Sequence, residues 1–345
     1  EVRRHYGQPR RTVLAGAGAG PDVAQAPGTS RRDRAAAVEV VTVPADDVWV
    51  WLAGDGVGLV TPRGGRPPSR CPLRLERVRS LAAAVPGSSD QPVLVFSAGG
   101  QCYRATLSDQ PVARSGAGRP MIALDAGDEV VAAFAGGQQE GEEEYYLLVT
   151  AGGQVKRLAA TALATAHASG SVCCRVPEGD RIVAVVAHGP DDQILIGKAH
   201  GQVLRIETGA ALRPVATPSA GTIAGVRVGA GDRVVSAAVA AGSSVLSVHR
   251  SGMALRAPLE DYPVKGRGTG GVQSVLTDRP ARTPAGDLAC LLGCSDGARV
   301  MMFGDQGSVW TVEGGSHPLT RRGATSAPLL ELADGEVPRG VASEH

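Results

Sequence analysis

Seven histidines and six cysteines are the residues best suited to nucleophilic or metal chemistry, and their spacing supports neither. Cys71, Cys102, Cys173, Cys174, Cys290 and Cys294 form no C-x-x-C pair. Adjacent Cys173 and Cys174 are badly placed as two ligands of one zinc, and Cys290 and Cys294 have no second pair or His at zinc-site spacing. They read as reduced cysteines used as small core hydrophobes. A hydrolase would need acids or histidines converging on one place, but His188, His200 and His249 fall near turns or strand ends without an obvious shared partner. What remains is arginine. Of 35 basic residues, all but Lys156, Lys198 and Lys265 are Arg. Arg suits bidentate phosphate contacts better than Lys does, although an Ala/Gly/Arg/Pro-rich codon bias gives the same skew.

The arginines recur with a repeat. An apolar run reaches a turn ending in Gly, and a second apolar run starts two residues on. Val-Leu-Val-Phe-Ser-Ala-Gly-Gly100 precedes Gln-Cys-Tyr-Arg104, and Leu-Leu-Val-Thr-Ala-Gly-Gly153 precedes Gln-Val-Lys-Arg157. Ile-Leu-Ile-Gly-Lys-Ala-His-Gly201 precedes Gln-Val-Leu-Arg205, and Val-Leu-Ser-Val-His-Arg-Ser-Gly252 precedes Met-Ala-Leu-Arg256. Gly56 and Gly307 end weaker copies, and the six turn glycines are 44, 53, 48, 51 and 55 residues apart. Tight hairpin turns need φ > 0, which Gly supplies. A second marker keeps the same period: Gly127-Asp-Glu-Val130, Gly179-Asp-Arg-Ile182 and Gly231-Asp-Arg-Val234 lie 52 residues apart, each leading into an apolar strand.

About four short strands in about 50 residues, six times over, predicts an all-β disc, a six-bladed propeller or pinwheel. The 47 Gly, the 23 Pro and the 3% aromatic content agree with many turns and a Val/Ala/Leu core. Blades are expected at about 45–90, 91–140, 141–190, 191–242, 243–296 and 297–340, within a domain at 35–340. Residues 1–34 read as a linker with a Gly/Ala-rich stretch and the basic residues Arg31, Arg32 and Arg34. The kelch double glycine with paired aromatics and the Trp-Asp of WD40 blades are missing. No run of 18 apolar residues and no charged-then-apolar leader occurs, so a cytoplasmic protein without a membrane partner is expected.

Several segments carry a resemblance. They are Phe96-Ser-Ala-Gly-Gly-Gln-Cys-Tyr103, Gly116-Ala-Gly-Arg-Pro120, Gly225-Val-Arg-Val-Gly-Ala-Gly-Asp-Arg-Val-Val-Ser236 and Tyr262-Pro-Val-Lys-Gly-Arg-Gly-Thr-Gly-Gly-Val272. From about residue 45 to 340 the chain resembles the C-terminal β-pinwheel found in the A subunits of DNA gyrase and topoisomerase IV, the bacterial type IIA topoisomerases. The opening His5-Tyr-Gly-Gln-Pro-Arg-Arg-Thr12 is similar to the segment where the family's breakage-reunion core ends. The resemblance implies a domain with no cofactor and no catalytic residue of its own, which bends duplex DNA around its rim. It implies partnership with double-stranded DNA, with the breakage-reunion core that makes up the rest of the A subunit, and with the ATPase B subunit. The catalytic tyrosine would lie outside this chain.

Bending a site by 40–90° costs about 1–6 kcal/mol, to be offset by phosphate contacts and counterion release. Two sets of residues can supply the charge. Arg104, Arg157, Arg205 and Arg256 each follow a turn Gly by four positions. Strict alternation puts them on the face of Val155 or Val203, so a structural role and DNA contact both stay open. The second set lies about 14 to 20 residues past the turn Gly, in the inter-strand loops: Arg70 and Arg74, Arg114 and Arg119, Lys265 and Arg267, and Arg321 and Arg322. Arg213 flanks the fourth loop, His167 is the basic candidate in the third, and Glu76 is the acid in these windows. Glycines such as Gly266 and Gly268 let backbone N–H groups approach phosphate.

Within the family, gyrase carries a Gln-x-Arg-Gly-Gly-x-Gly box in its first blade that anchors wrapping. The matching position here, Arg70-Cys-Pro-Leu-Arg-Leu-Glu76, has no glycine. Arg63-Gly-Gly-Arg66 comes about six residues early and lacks the leading Gln, while Gly266-Arg-Gly-Thr-Gly-Gly271 is box-like but falls in the fifth unit. The departure points to a topoisomerase IV-type subunit that decatenates or relaxes DNA. The alternatives are a gyrase subunit with a displaced box and a protein-binding propeller without a DNA role.

Overall fold

The computed structural model describes residues 11–14, 40–43, 46–64, 67–75, 80–136, 143–276 and 287–343. Each apolar run with its glycine turn forms an antiparallel hairpin. The six hairpins are Asp47–Ala53 with Val57–Pro62, Pro92–Ser97 with Gln101–Thr106, Tyr145–Thr150 with Gln154–Ala159, Gln193–Lys198 with Gln202–Glu207, Ser244–His249 with Met253–Pro258, and Arg299–Gly304 with Val309–Glu313. All six turn glycines take positive φ, from 79° at Gly201 to 93° at Gly307.

A third strand from the same unit pairs with the other edge of each hairpin's first strand. These strands are Leu81–Ser88, Val130–Ala135, Ile182–His188, Val234–Val239, Leu288–Cys294 and Pro338–Ser343. Each packs on the corresponding strand of the next unit, and the last returns to the first, so together they form the inner wall of a closed ring. The Gly-Asp marker positions them. Asp128 Oδ1 accepts from Gly99 N at 2.8 Å and Asp180 Oδ1 from Gly152 N at 3.0 Å, tying the start of the inner strand to the hairpin turn of its own blade. Asp232 does the same for His200 N, and Glu336 for Ser308 N.

The fourth strand is exchanged between units. The sequence predicts four strands per unit, and the structure gives one of them to the preceding blade. Arg119–Pro120 pairs with Val57–Pro62, Ser171–Val172 with Gln101–Thr106, and Ile223–Ala224 with Gln154–Ala159. Val272–Gln273 pairs with Gln202–Glu207, and Ala327–Pro328 with Met253–Pro258. Five sheets are thus four-stranded. The sixth is three-stranded among the described residues, and its outer edge is met by Arg70, which bridges to Ser308. The turn glycine is the anchor each time. Its carbonyl accepts from the arriving segment: Gly100 O from Cys173 N and Cys174 N, Gly252 O from Leu329 N and Leu330 N, and Gly307 O from Cys71 N at 2.7 Å. A Cβ at Gly100 or Gly252 would run into the carbonyl oxygen of Cys174 or Leu330, so the repeat needs glycine there for space as well as for φ.

Six apolar clusters fill the six junctions between neighbouring blades. At the closing junction Trp49 and Trp51 of the first blade pack with Met301 and Phe303 of the sixth, and Trp51 Nε1 donates to Thr61 Oγ1 at 3.0 Å. Each sheet is therefore apolar on both faces, which explains the nearly continuous burial along Asp47–Ala53. The cysteines are free thiols. Cys102, Cys173, Cys174, Cys290 and Cys294 are buried, and burial pushes Cys102 and Cys290 up to about 12. The linker assignment, residues 1–34, lies outside the described residues except for Arg11–Leu14, which pairs as a strand with Val40–Val43.

Candidate nucleic-acid interface

The segment that carries each exchanged strand leaves its own hairpin, crosses to the preceding blade and lies along that blade's outer edge as a strap. It first runs parallel to the edge strand, as in the bridges Val60–Val112, Arg205–Val264 and Arg256–Leu319. It then turns back to form the two-residue strand and ends on the turn glycine. Neighbouring straps touch through Arg74 N to Gly116 O (2.8 Å) and Arg227 N to Thr269 O (2.9 Å). The straps form the outer rim of the disc, because the inner strands occupy the opposite edge of every sheet.

The loop arginines named from the sequence fall on this rim. Arg70, Arg74, Arg114, Arg119, Arg213, Arg267 and Arg321 are exposed. None is in an ion pair among the described residues. Two further rim arginines escaped the sequence reading, Arg175 and Arg227, both exposed and just past a strap strand. They lie beyond the window of 14 to 20 residues after the turn glycine, although Arg227 stands inside the Gly225–Ser236 motif. With these nine, every one of the six outer edges carries an exposed arginine. His167 is exposed on the second edge, and Glu76 lies outside the described residues.

Other candidates are engaged. Arg322 is half-buried, donates from Nη1 to Gln273 O at 2.7 Å and lies 5.7 Å from the Tyr262 ring centroid. Lys265 is half-buried, with Nζ 3.3 Å from Gly271 O. Arg63 is half-buried with its guanidinium 5.4 Å from the Trp49 ring centroid, and Arg66 lies outside the described residues.

The arginines four positions past the turn glycine are drawn into the structure. Arg157, 4% exposed, donates to Thr208 O and Leu212 O, both at 3.2 Å, and to Pro190 O at 2.7 Å, with its guanidinium 3.9 Å from the Tyr145 ring centroid. Arg205 reaches Leu259 O (3.0 Å), Tyr262 O (3.2 Å) and Gln193 Oε1 (2.7 Å). Arg256, 3% exposed, bonds to Ser244 Oγ, His317 O and the Asp296 carboxylate. These three pin the start of the next strap by its backbone carbonyls. Their partners are mainly carbonyls rather than a neighbouring blade's acid. Arg104 is half-buried, and its backbone N–H bonds to His167 O.

The DNA gyrase C-terminal domain, beta-propeller, family model matches residues 91–135, 144–188 and 250–287, which are the second blade, the third blade and part of the fifth unit. Over those segments the chain is similar to that family. The DNA gyrase A protein of Escherichia coli (strain K12) is 25% identical over 307 residues, covering 85% of this chain and 34% of that protein. The DNA gyrase A protein of Mycobacterium tuberculosis (strain CDC 1551) is 32% identical over 197 residues, 56% of this chain and 23% of that protein. The chain thus spans about a third or less of these curated relatives. Among solved structures, a DNA gyrase A C-terminal domain superposes with TM-score 0.71 at 15% identity, covering 86% of this chain and 99% of that one. The C-terminal domain of a DNA topoisomerase IV gives TM-score 0.67 at 17% identity, covering 87% and 93%. These likenesses carry the fold.

Against the family's box, the strand exchange moves the candidates by one blade. Residues 70–75 sit on the edge of the sixth blade rather than the first, and the Gly266–Gly271 segment sits on the edge of the fourth rather than the fifth. There it borders a cleft of about 550 Å³ lined by Lys198, Gln202, Arg227, Lys265 and Thr269. Lys198 is buried, donating to Gln202 Oε1 at 2.6 Å and Arg227 O at 3.1 Å, and burial lowers its ammonium below the ordinary lysine value. Lys156, also lowered by burial, caps the carbonyls of Thr217, Pro218 and Ala220. All three lysines thus serve strap carbonyls, whereas the solvent-facing rim is arginine.

Proposed function

We propose that this chain is the DNA-bending C-terminal domain of a type IIA topoisomerase A subunit of the topoisomerase IV type, which presents duplex segments for decatenation and relaxation. The observation that carries this reading is the rim itself. Nine exposed arginines, free of ion pairs among the described residues, are spread over all six outer edges of a chain with net charge +1. A phosphate backbone laid along such a rim exchanges condensed counterions for guanidinium contacts at each blade, which offsets the cost of curvature. The partners this reading requires are double-stranded DNA, the breakage-reunion core of the same protein and the ATPase B subunit, in a bacterial cytoplasm. No helix among the described residues is long and apolar enough to cross a membrane.

The topoisomerase IV assignment rests on the loop after the first hairpin. Arg63 is stacked on Trp49, and the following rim segment, Arg70–Leu75, offers Pro72 instead of the glycines that let backbone meet phosphate. The similar proteins of Escherichia coli and Mycobacterium tuberculosis are DNA gyrase A proteins, which favours the second reading, a gyrase subunit with a displaced box. The two are separated by assaying the full A subunit with its ATPase partner on relaxed plasmid and on catenated rings. Decatenation with relaxation and little supercoiling is expected. Robust ATP-dependent negative supercoiling that disappears in R63A/R66A would establish the gyrase reading instead.

A further inference from the structure

The rim has a second recurring feature. The large apolar side chains most exposed among the described residues are Val112 (45%), Val172 (46%), Ile223 (40%), Val264 (42%), Leu276 (37%) and Leu319 (55%). All six sit on the straps. Val112, Val264 and Leu319 occupy one register, bridged in parallel to Val60, Arg205 and Arg256 on three different blades. Each stands beside a rim cation: Val112 two residues before Arg114, Val264 three before Arg267, and Leu319 two before Arg321. Val172 and Ile223 lie on the two-residue strands, just ahead of Arg175 and Arg227. Isolated surface hydrophobes are ordinary, but their confinement to one band, interleaved with ion-pair-free arginines, needs a reason.

We propose that these side chains pack against the deoxyribose edges of bound duplex DNA, giving the rim a dry, salt-independent contact between its phosphate clamps. This deepens the DNA-bending reading and rests on it. A nucleic-acid strand alternates anionic phosphate with apolar sugar faces, and a cation near an exposed apolar residue on five of the six straps has the matching alternation. Val and Leu are too short to act except at the groove edge. Nor would insertion between base steps help, since a wedge driven in from the concave side opens the duplex there and bends it away from the disc. Packing on sugars adds contact area without opposing the curve.

The test is the triple variant V112S/V264S/L319S in the full chain, titrated with a linear mixed-sequence duplex from about 50 to 300 mM salt. Calorimetry at several temperatures supplies the heat capacity of binding. The positions are solvent-facing, so an unchanged melting temperature checks the fold, and L319M, which keeps an apolar side chain of similar size, should keep affinity. We expect about tenfold weaker binding at every salt concentration, an unchanged slope of log K against log salt, and a less negative heat-capacity change. Affinity equal to the parent at all salts, or a loss confined to the salt slope, would overturn the apolar contact while leaving the DNA reading intact. A parent chain that binds no duplex at all would instead overturn the function on which it rests.

Discussion

Replacing Arg114 and Arg119 by alanine separates the rim arginines from the buried ones. Both are exposed on the strap over the first blade's edge, and neither has an ion-pair partner among the described residues. Each phosphate neutralised contributes about −0.9 to the slope of log K against log salt. If all nine exposed rim arginines meet phosphate, the slope approaches about −8, and affinity falls on the order of 10⁵-fold between 50 and 200 mM salt. Without two of them the slope becomes shallower by about 1.8 and the same salt step costs on the order of 10⁴-fold. Because these side chains hold nothing in place, the melting temperature should not move. Fluorescence anisotropy on a labelled duplex at four or more salt concentrations reads the slope directly. A double variant with the parent's slope would refute the view that the straps carry the DNA, whatever happened to absolute affinity.

The complementary change, Arg157→Ala, removes a cation that serves two strap carbonyls, the Pro190 carbonyl of the loop before Gln193–Lys198, and the face of Tyr145. It should cost about 3 kcal/mol in a urea melt, because buried carbonyls lose a charged donor, while leaving the salt slope unchanged. Burial holds His317 and His188 below the ordinary histidine value of 6.5. The unfolded chain therefore binds these protons more readily than the folded one, so stability is complete above pH 6.5 and declines as the pH falls below it. Urea melts in steps from pH 7.5 downward should show that decline, and H317Q should make it shallower. Cys102 and Cys290, pushed up to about 12 by burial, should stay unalkylated by iodoacetamide at neutral pH and react once the chain is unfolded. Labelling of the native chain at either position would contradict the packing described for them.

The blade count was legible because the turn glycine has two independent duties, a positive φ and the reception of the next strap, so few substitutions are tolerated and the period survives. The Gly-Asp marker was legible for a similar reason, since its carboxylate caps the hairpin turn. The strand exchange was not. Strands of two residues, such as Ser171–Val172 or Val272–Gln273, carry no alternation, and the sequence cannot say to which side of its own hairpin such a segment is delivered. That blindness assigned Arg70–Leu75 and Gly266–Gly271 to the wrong blades. It also hid the duty of Arg157, Arg205 and Arg256, whose acceptors are carbonyls of a loop some 50 residues away in the chain. Alternation places such an arginine on the inter-blade face but cannot name the partner that decides between a structural and a ligand-binding role. Arg63 was ambiguous in the same way, since only the fold brings Trp49 beneath it.

The exchange of outer strands makes the repeats dependent on one another in a way that stacked solenoid repeats are not. No unit completes its own sheet, so deleting one repeat strips an edge from its predecessor and leaves an orphan strap. The first and last units meet at a seam where Cys71 N bonds to Gly307 O and Leu81 N to Asp305 O. This seam uses the same contacts as the junctions between consecutive units, and the first strap crosses it, but no peptide link joins the last inner strand to the first hairpin. In a lineage growing by tandem duplication, the ring closes when the sixth edge comes within reach of the first strap, and further copies have nowhere to dock. The number of blades is then set by the angle between neighbours rather than by anything special in the first or last repeat. A circularly permuted chain, cut at any other junction and joined across the seam, should find the same disc.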